Sequence, residues 1–193
     1  MANRRPDPIM HRHDDVELLS STLLHEGRIF RLLAEEVRLP SGLLQSIDVV
    51  AHPGAVAIAA LDDEGRLLLV RQYRHALGEW FTELPAGRLE AGEGPLDAAR
   101  RELEEETGYR AERWTLLREL VPAPGFCSER IQVFLAEGLV AVPGGGLAAD
   151  DDEELEISRQ TPAEVLAGEL RDSKTLAAAA LLVANGKTGR STS

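Results

Sequence analysis

The sequence predicts an α+β protein, a main domain of strands and helices carrying a small antiparallel β unit near its amino-terminal end. Three observations predict it. Short stretches rich in Val, Ile and Leu recur from Val16 to Leu84, separated by Gly- and Pro-bearing turns. One helix is marked at both ends, by Pro95 in its first turn and by Gly108 just after Thr107. The length of 193 residues, with 44% hydrophobic and 28% charged side chains, suits one domain plus an appendage and can bury a core.

Residues 1–14 combine two prolines, mixed charge and little apolar content, which reads as a tail. His11 and His13 stand in it as a His-X-His pair that either binds metal or is simply part of the tail. Val16–Leu24, Ile29–Leu39 and Leu43–Val50 are strand-like, divided by His25-Glu26-Gly27 and by Pro40-Ser41-Gly42. Residues 15–51 therefore form a three-stranded unit that cannot bury both faces alone and should pack on the main domain or on a second subunit.

The main domain, residues 52–185, opens after His52-Pro53-Gly54. Val56–Leu61 and Leu67–Tyr73 read as strands joined by the Asp62–Arg66 turn, and Trp80–Leu84 as a strand leading into Pro85-Ala86-Gly87. After the helix Pro95–Thr107, strands are expected at Trp114–Val121 and Ile131–Ala136. Pro143-Gly144-Gly145-Gly146 breaks the chain before the acidic run Asp150–Glu154, and a strand is expected around Leu155–Ile157. Thr161-Pro162-Ala163-Glu164 reads as a helix start, and Ser173 as the cap of a last helix running through Val183. Residues 186–193 form a second tail.

Composition narrows the function. With 33 acidic and 21 basic residues the formal charge is −12, which argues against broad binding to nucleic acid. A phosphate-bearing substrate stays possible if a metal ion screens the repulsion. The longest apolar run, Leu176–Ala184, has nine residues and is too short to span a bilayer. No basic-then-apolar segment opens the chain, so a secretory signal is not expected and a cytoplasmic location is. Cys127 is the only cysteine, which excludes an intramolecular disulfide and a Cys-based zinc cage.

The chemistry concentrates on the helix. At about 100° per residue, Leu96, Ala99 and Leu103 share one narrow buried sector, while Glu102, Glu105 and Glu106 share another about 100° wide. Carboxylates at i, i+3 and i+4 lie side by side and repel, and Glu104, Glu105 and Glu106 also face the helix C-terminus, where the dipole favours cations. A hard divalent cation, Mg²⁺ or Mn²⁺, would relieve both costs, and Arg101 is placed to neutralise one carboxylate. The competing reading is a solvated acidic face.

Gly87, Glu93, Arg101, Glu102, Leu103, Glu105, Glu106 and Gly108 fall at every specified position of the pattern GX5EX7REUXEEXGU, which spans the 23 residues from Gly87 to Tyr109. Only Tyr109 departs mildly, standing where a bulky aliphatic residue is usual. By these residues the chain resembles the Nudix hydrolases. The resemblance implies an α/β/α sandwich with a mixed sheet, hydrolysis of a nucleoside diphosphate linked to another moiety, and dependence on Mg²⁺ or Mn²⁺. It further implies Glu102 and Glu106 as main metal ligands, Glu105 as a further ligand or water orienter, the Ala86 carbonyl as a backbone ligand, Glu93 as structural and Arg101 as a salt-bridging organiser. The reaction would be in-line attack of water on phosphorus.

Residues outside the box resemble the ADP-ribose pyrophosphatase branch: Val70-Arg71-Gln72-Tyr73-Arg74, Glu83-Leu84-Pro85-Ala86-Gly87, and Pro122–Arg130 with Pro124 sixteen residues after Gly108. That branch implies Arg71 on the diphosphate or terminal ribose, Glu83 lining the same pocket, Glu129 accepting from ribose hydroxyls, and the amino-terminal unit joining a homodimer. Phe30 is a candidate to stack on adenine or to pack in a core, and Trp80 to serve as core, interface or base platform. Cys127 lies in the expected substrate loop with no nucleophilic role. The acidic run stands where the branch carries a catalytic glutamate, with Glu153 in best register and Asp151, Asp152 and Glu154 as alternatives to it or to a solvated loop. The expected reaction gives AMP and ribose 5-phosphate. The alternatives are a diphosphatase for another nucleoside diphosphate sugar, such as GDP-mannose, and a Nudix-fold binding module without catalysis. The expected partners are the small substrate and a second subunit, not nucleic acid or membrane.

Overall fold

The computed structural model describes residues 13–143 and 156–187, and the chain divides into two compact units. The first runs to Gly54 and takes in Val121–Arg130, ten residues that the sequence alone places in the main domain. It contains β1 (Glu17–Glu26), β2 (Arg31–Arg38) and β3 (Leu44–Ala51), an antiparallel meander in the order β1-β2-β3. β2 buries alternate residues Leu33, Glu35 and Val37, the period expected of a strand with one covered face. Glu35 is tolerated there because its carboxylate accepts from the Ser21 hydroxyl at 2.8 Å. The Val121–Arg130 segment joins β3 by reciprocal backbone bonds, Val50 N–H to Phe126 O at 2.8 Å and Ser128 N–H to Val50 O at 2.9 Å.

The second unit holds β4 (Ala55–Ala60), β5 (Leu67–Arg74), β6 (Glu79–Glu83), β7 (Ala86–Arg88), α1 (Pro95–Thr107), β8 (Tyr109–Leu120), β9 (Ile131–Ala141), β10 (Glu156–Gln160), α2 (Pro162–Ala167) and α3 (Ser173–Ala184). β7-β4-β9-β8 form a mixed sheet in which only β4 and β9 run parallel, and β10-β5-β6 form an antiparallel one. β4 is the keel. Its sequence AVAIAA is buried on both faces, and strand alternation sends each face to a different helix layer. Val56, Ile58 and Ala60 pack with Ala98, Ala99 and Leu103 of α1. Ala55, Ala57 and Ala59 pack with Val165 of α2 and with Ala178, Ala179 and Leu182 of α3. This is the expected α/β/α sandwich.

Several boundaries differ from expectation for physical reasons. The last helix is capped by Asp172, not Ser173: the Asp172 carboxylate accepts from the Thr175 N–H at 2.9 Å. β8 begins at Tyr109, five residues before the expected start, because charged residues at exposed positions hide its period. β9 continues to Ala141 along β8. Pro85-Ala86-Gly87 is not only a turn: Ala86 opens β7, which pairs with Ala55–Ala57 of β4. The helix start at Thr161 is a full capping box with Glu164.

Candidate active site

α1 delivers the box carboxylates. It ends because Gly108 takes φ 71°, a left-handed conformation that glycine adopts without strain, and returns its N–H to Glu104 O. No basic residue stands in its last turn, so each terminal carboxylate finds a partner elsewhere. Arg110 grips Glu104 with Nε at 2.6 Å and Nη2 at 2.7 Å, which holds that carboxyl below its ordinary range. Glu106 is 7% exposed and accepts from the Ala86 N–H at 3.1 Å. Glu102 and Glu105 both turn to Arg101.

Arg101 is the hub. Nε and Nη2 each meet the Glu93 carboxylate at 3.0 Å, Nη1 reaches Glu102 at 2.8 Å and Glu105 at 3.0 Å, and Nη2 also donates to Arg88 O at 3.3 Å. The bidentate bond from Arg101 holds the Glu93 carboxyl low. Glu102 is shifted the other way: burial pushes its carboxyl up, and the Arg101 hydrogen bond only partly opposes this. The Glu102 carboxylate lies where a Cβ on residue 87 would be, so Gly87 is required by close approach.

The donor set here suits a hard divalent cation. Glu102, Glu105 and Glu106 with the Ala86 carbonyl are all oxygen donors, and with Glu93 they set four carboxylates against the single charge of Arg101. Among the described residues no three acidic, histidine or cysteine side chains are already grouped as a chelate. In this arrangement Arg101 bonds Glu102 and Glu105, and Glu106 accepts from the Ala86 amide.

The other site candidates fall in three places. Arg71 on β5 lays its guanidinium over the Trp80 ring, 4.5 Å from the centroid, and pairs with Glu156 at 3.3 Å. Trp80 is 43% exposed and tilts against Tyr73 at 5.6 Å, so it is not a core residue of this chain. Glu83 is only 2% exposed; it accepts from Arg74 Nε at 2.6 Å and from the Lys174 ammonium. It therefore reaches outward through Arg74 rather than as an open carboxylate lining a pocket beside Arg71, as expected from the sequence. The sequence gives Arg74 no role beyond its place in the Val70–Arg74 stretch and does not point to Lys174 or to the Arg71–Trp80 contact; for Lys174 no local signal exists, since its partner is 91 positions away.

Phe30 and Glu129 belong to the first unit. Phe30 is 40% exposed, which removes the core-packing alternative for it within this chain. Glu129 comes within 3.7 Å of His52 Nδ1, but that nitrogen accepts from the Gly54 N–H at 3.1 Å and has no proton to offer the carboxylate. Cys127 is partly buried, on the segment paired to Val50. His11, Asp151, Asp152, Glu153 and Glu154 lie outside the described residues. No helix among the described residues is long and apolar enough to cross a membrane.

Comparison with known proteins agrees with this geometry. The chain is 50% identical over 126 residues to an ADP-ribose pyrophosphatase of Mycobacterium tuberculosis, covering 65% of this chain and 61% of that one. It thus spans less than two thirds of that relative's length. It is 41% identical over 156 residues to an ADP-ribose pyrophosphatase of Bacillus subtilis, covering 79% of this chain and 84% of that one. A solved structure described as an ADP compounds hydrolase superposes with a TM-score of 0.75 at 21% identity, covering 92% of this chain and 100% of that one, a likeness of fold. Residues 51–181 match the NUDIX domain model, and with the complete box carried by β7, the loop after it and α1 the chain belongs to the Nudix family.

Proposed function

We propose that this protein hydrolyses the diphosphate of ADP-ribose, with water attacking one phosphorus and the P–O–P bridge breaking to give AMP and ribose 5-phosphate. The observation that carries the reading is the Arg101 hub: an arginine that fixes Glu93, Glu102 and Glu105 beside a buried Glu106. The ADP-ribose pyrophosphatases at 50% and 41% identity support the substrate. A divalent cation, Mg²⁺ or Mn²⁺, would be held by Glu102, Glu105, Glu106 and the Ala86 carbonyl, and it would stabilise charge on the attacking and leaving oxygens.

The chain's own residues do the rest. Arg101 orients Glu102 and Glu105, and Glu106 fixes the Ala86 end of β7. Arg71, held over the Trp80 ring, presents a cation for the diphosphate or the terminal ribose. Glu105, Glu153 and Glu154 are the carboxylates from which the base that accepts the water's proton is drawn. Phe30 offers an exposed ring for adenine and Glu129 an acceptor for ribose hydroxyls. Leu24, Ile29, Phe30, Leu43 and Leu44 are all at least 40% exposed on the β1–β3 unit, which supports a homodimer formed through residues 15–51. The cytoplasm is the proposed location.

The test is hydrolysis of ADP-ribose, ADP-glucose, GDP-mannose, NADH and diadenosine polyphosphates, with Mg²⁺ and with chelator. ADP-ribose should lead by at least about tenfold in kcat/KM, or roughly 1.4 kcal/mol. A lead by another nucleotide sugar moves the substrate and keeps the chemistry; no cation-dependent turnover of any of them overturns the reading.

A further inference from the structure

The Leu84–Ala86 turn that brings the ELPAG sequence beside the box helix is fixed at three backbone points. The Leu84 N–H donates to Thr175 Oγ1 at 2.9 Å, the Pro85 carbonyl accepts from the Ile58 N–H at 2.8 Å, and the Ala86 N–H donates to Glu106 at 3.1 Å. The anchors come from three elements: α3, β4 and α1. Only the α3 anchor is made by a side chain outside the box.

Thr175 itself is held rigidly. It is fully buried, and its hydroxyl donates to Asp172 at 2.5 Å while accepting from Leu84. Asp172 caps α3 with the same oxygen and takes Lys174 Nζ on the other at 2.9 Å. Lys174 in turn pairs with Glu83, the residue before Leu84, and Arg74 closes the far side of Glu83. The first turn of α3 thus clamps the end of β6 by a hydroxyl on the backbone and an ammonium on the side chain. A buried hydroxyl using both its donor and its acceptor has one orientation, so it sets the position of Leu84 rather than following it.

We infer that Thr175 is a positioning residue for the reaction, holding Leu84 so that Ala86 meets Glu106 at the height the box site requires. This rests on the reading of Glu106 and the Ala86 carbonyl as donors to a divalent cation. The end of a helix on the far layer of the sandwich therefore controls the geometry of a site carried by α1.

The test uses the full chain with Thr175→Val, Thr175→Ser and Glu106→Gln. Thr175→Val keeps the shape but leaves the Leu84 N–H unpaired; it should lower kcat for ADP-ribose about 10- to 100-fold with KM changed less than about twofold. Its affinity for Mn²⁺, titrated with the metal alone, should weaken about tenfold, and Thr175→Ser should restore both. Circular dichroism at the assay temperature confirms the fold. Thr175→Val with wild-type kcat and Mn²⁺ affinity overturns the inference, as does Thr175→Ser failing to rescue. Amide exchange on the wild-type chain gives a reading even if Thr175→Val does not fold: Mg²⁺ should slow Leu84 and Ala86 together, and an unchanged Leu84 amide sinks the idea. If Glu106→Gln binds Mn²⁺ and turns over like wild type, the site reading itself has failed; if only Glu106→Gln is impaired, this inference alone has.

Discussion

Arg101 holds Glu93 by two parallel bonds of 3.0 Å, from Nε and Nη2 to the two carboxylate oxygens. That fork fixes the guanidinium plane and leaves Nη1 bridging Glu102 and Glu105. Glu93 stands on the loop before α1 and Arg101 within it, so the pair sets the loop and the helix in one arrangement.

Replacing Arg101 with Lys keeps the charge and removes the fork, since one ammonium cannot bond Glu93 bidentately and still bridge two further carboxylates. Stability should fall by about 1–3 kcal/mol in urea denaturation. Turnover should fall further than that loss explains, because Glu102 and Glu105 lose their common orienter. Equal activity at equal stability would show that charge alone suffices.

Glu106→Gln isolates the carboxylate from the fold. The glutamine carbonyl can still accept from the Ala86 N–H, so the turn stays in place. The lost ligand charge should lower kcat at least about 100-fold, roughly 2.7 kcal/mol, with an unchanged circular dichroism spectrum. Near-normal turnover would refute the ligand role.

Glu102 carries a pH signature. Burial raises its carboxyl in the folded chain above its unfolded value, so its contribution to stability is fully present below the unfolded pKa and lost as pH rises through the folded one. At neutral pH without divalent cation, the ionised side chain is therefore a cost. Glu102→Gln should raise the metal-free Tm at pH 7 by about 2 °C and leave it unchanged near pH 4. Mg²⁺ should raise the Tm of wild type more than that of the variant. A variant less stable than wild type at pH 7 would mean that the Arg101 bond outweighs burial.

Gly87→Ala tests close approach rather than charge. The new methyl would occupy the position of the Glu102 carboxylate, and one of the two must move. Mn²⁺ affinity and kcat should both fall about tenfold or more, while a variant indistinguishable from wild type would show that Glu102 moves aside freely.

Much of this was legible in the sequence because local rules wrote it. Pro95 and Gly108 bound α1 in sequence and in space, and the i, i+3, i+4 spacing put Glu102, Glu105 and Glu106 on one face. What escaped depends on partners far along the chain. Glu83 looks like an open acid in the ELPAG context, and only the fold brings Lys174 to bury it. Asp172 outcompetes Ser173 as the cap because its carboxylate also serves the Thr175 hydroxyl and Lys174. Val121–Arg130 read as part of the main domain because nothing local announces that Val50 will pair with Phe126 and Ser128.

That pairing sharpens what removing residues 1–50 should do. The deletion takes away all of β1 and β2 and nearly all of β3, and with Val50 it takes the backbone partner of Phe126 and Ser128. The Val121–Arg130 segment then loses its register, and Glu129 with it. Size-exclusion chromatography with light scattering should show a dimer for the full chain. The truncated chain should lose the dimer and expose apolar surface, seen as aggregation or dye binding, and any remaining soluble protein should have a KM for ADP-ribose raised about tenfold or more. A well-behaved monomer with wild-type kcat/KM would show that the β unit is dispensable and that neither Phe30 nor a second subunit takes part in the site.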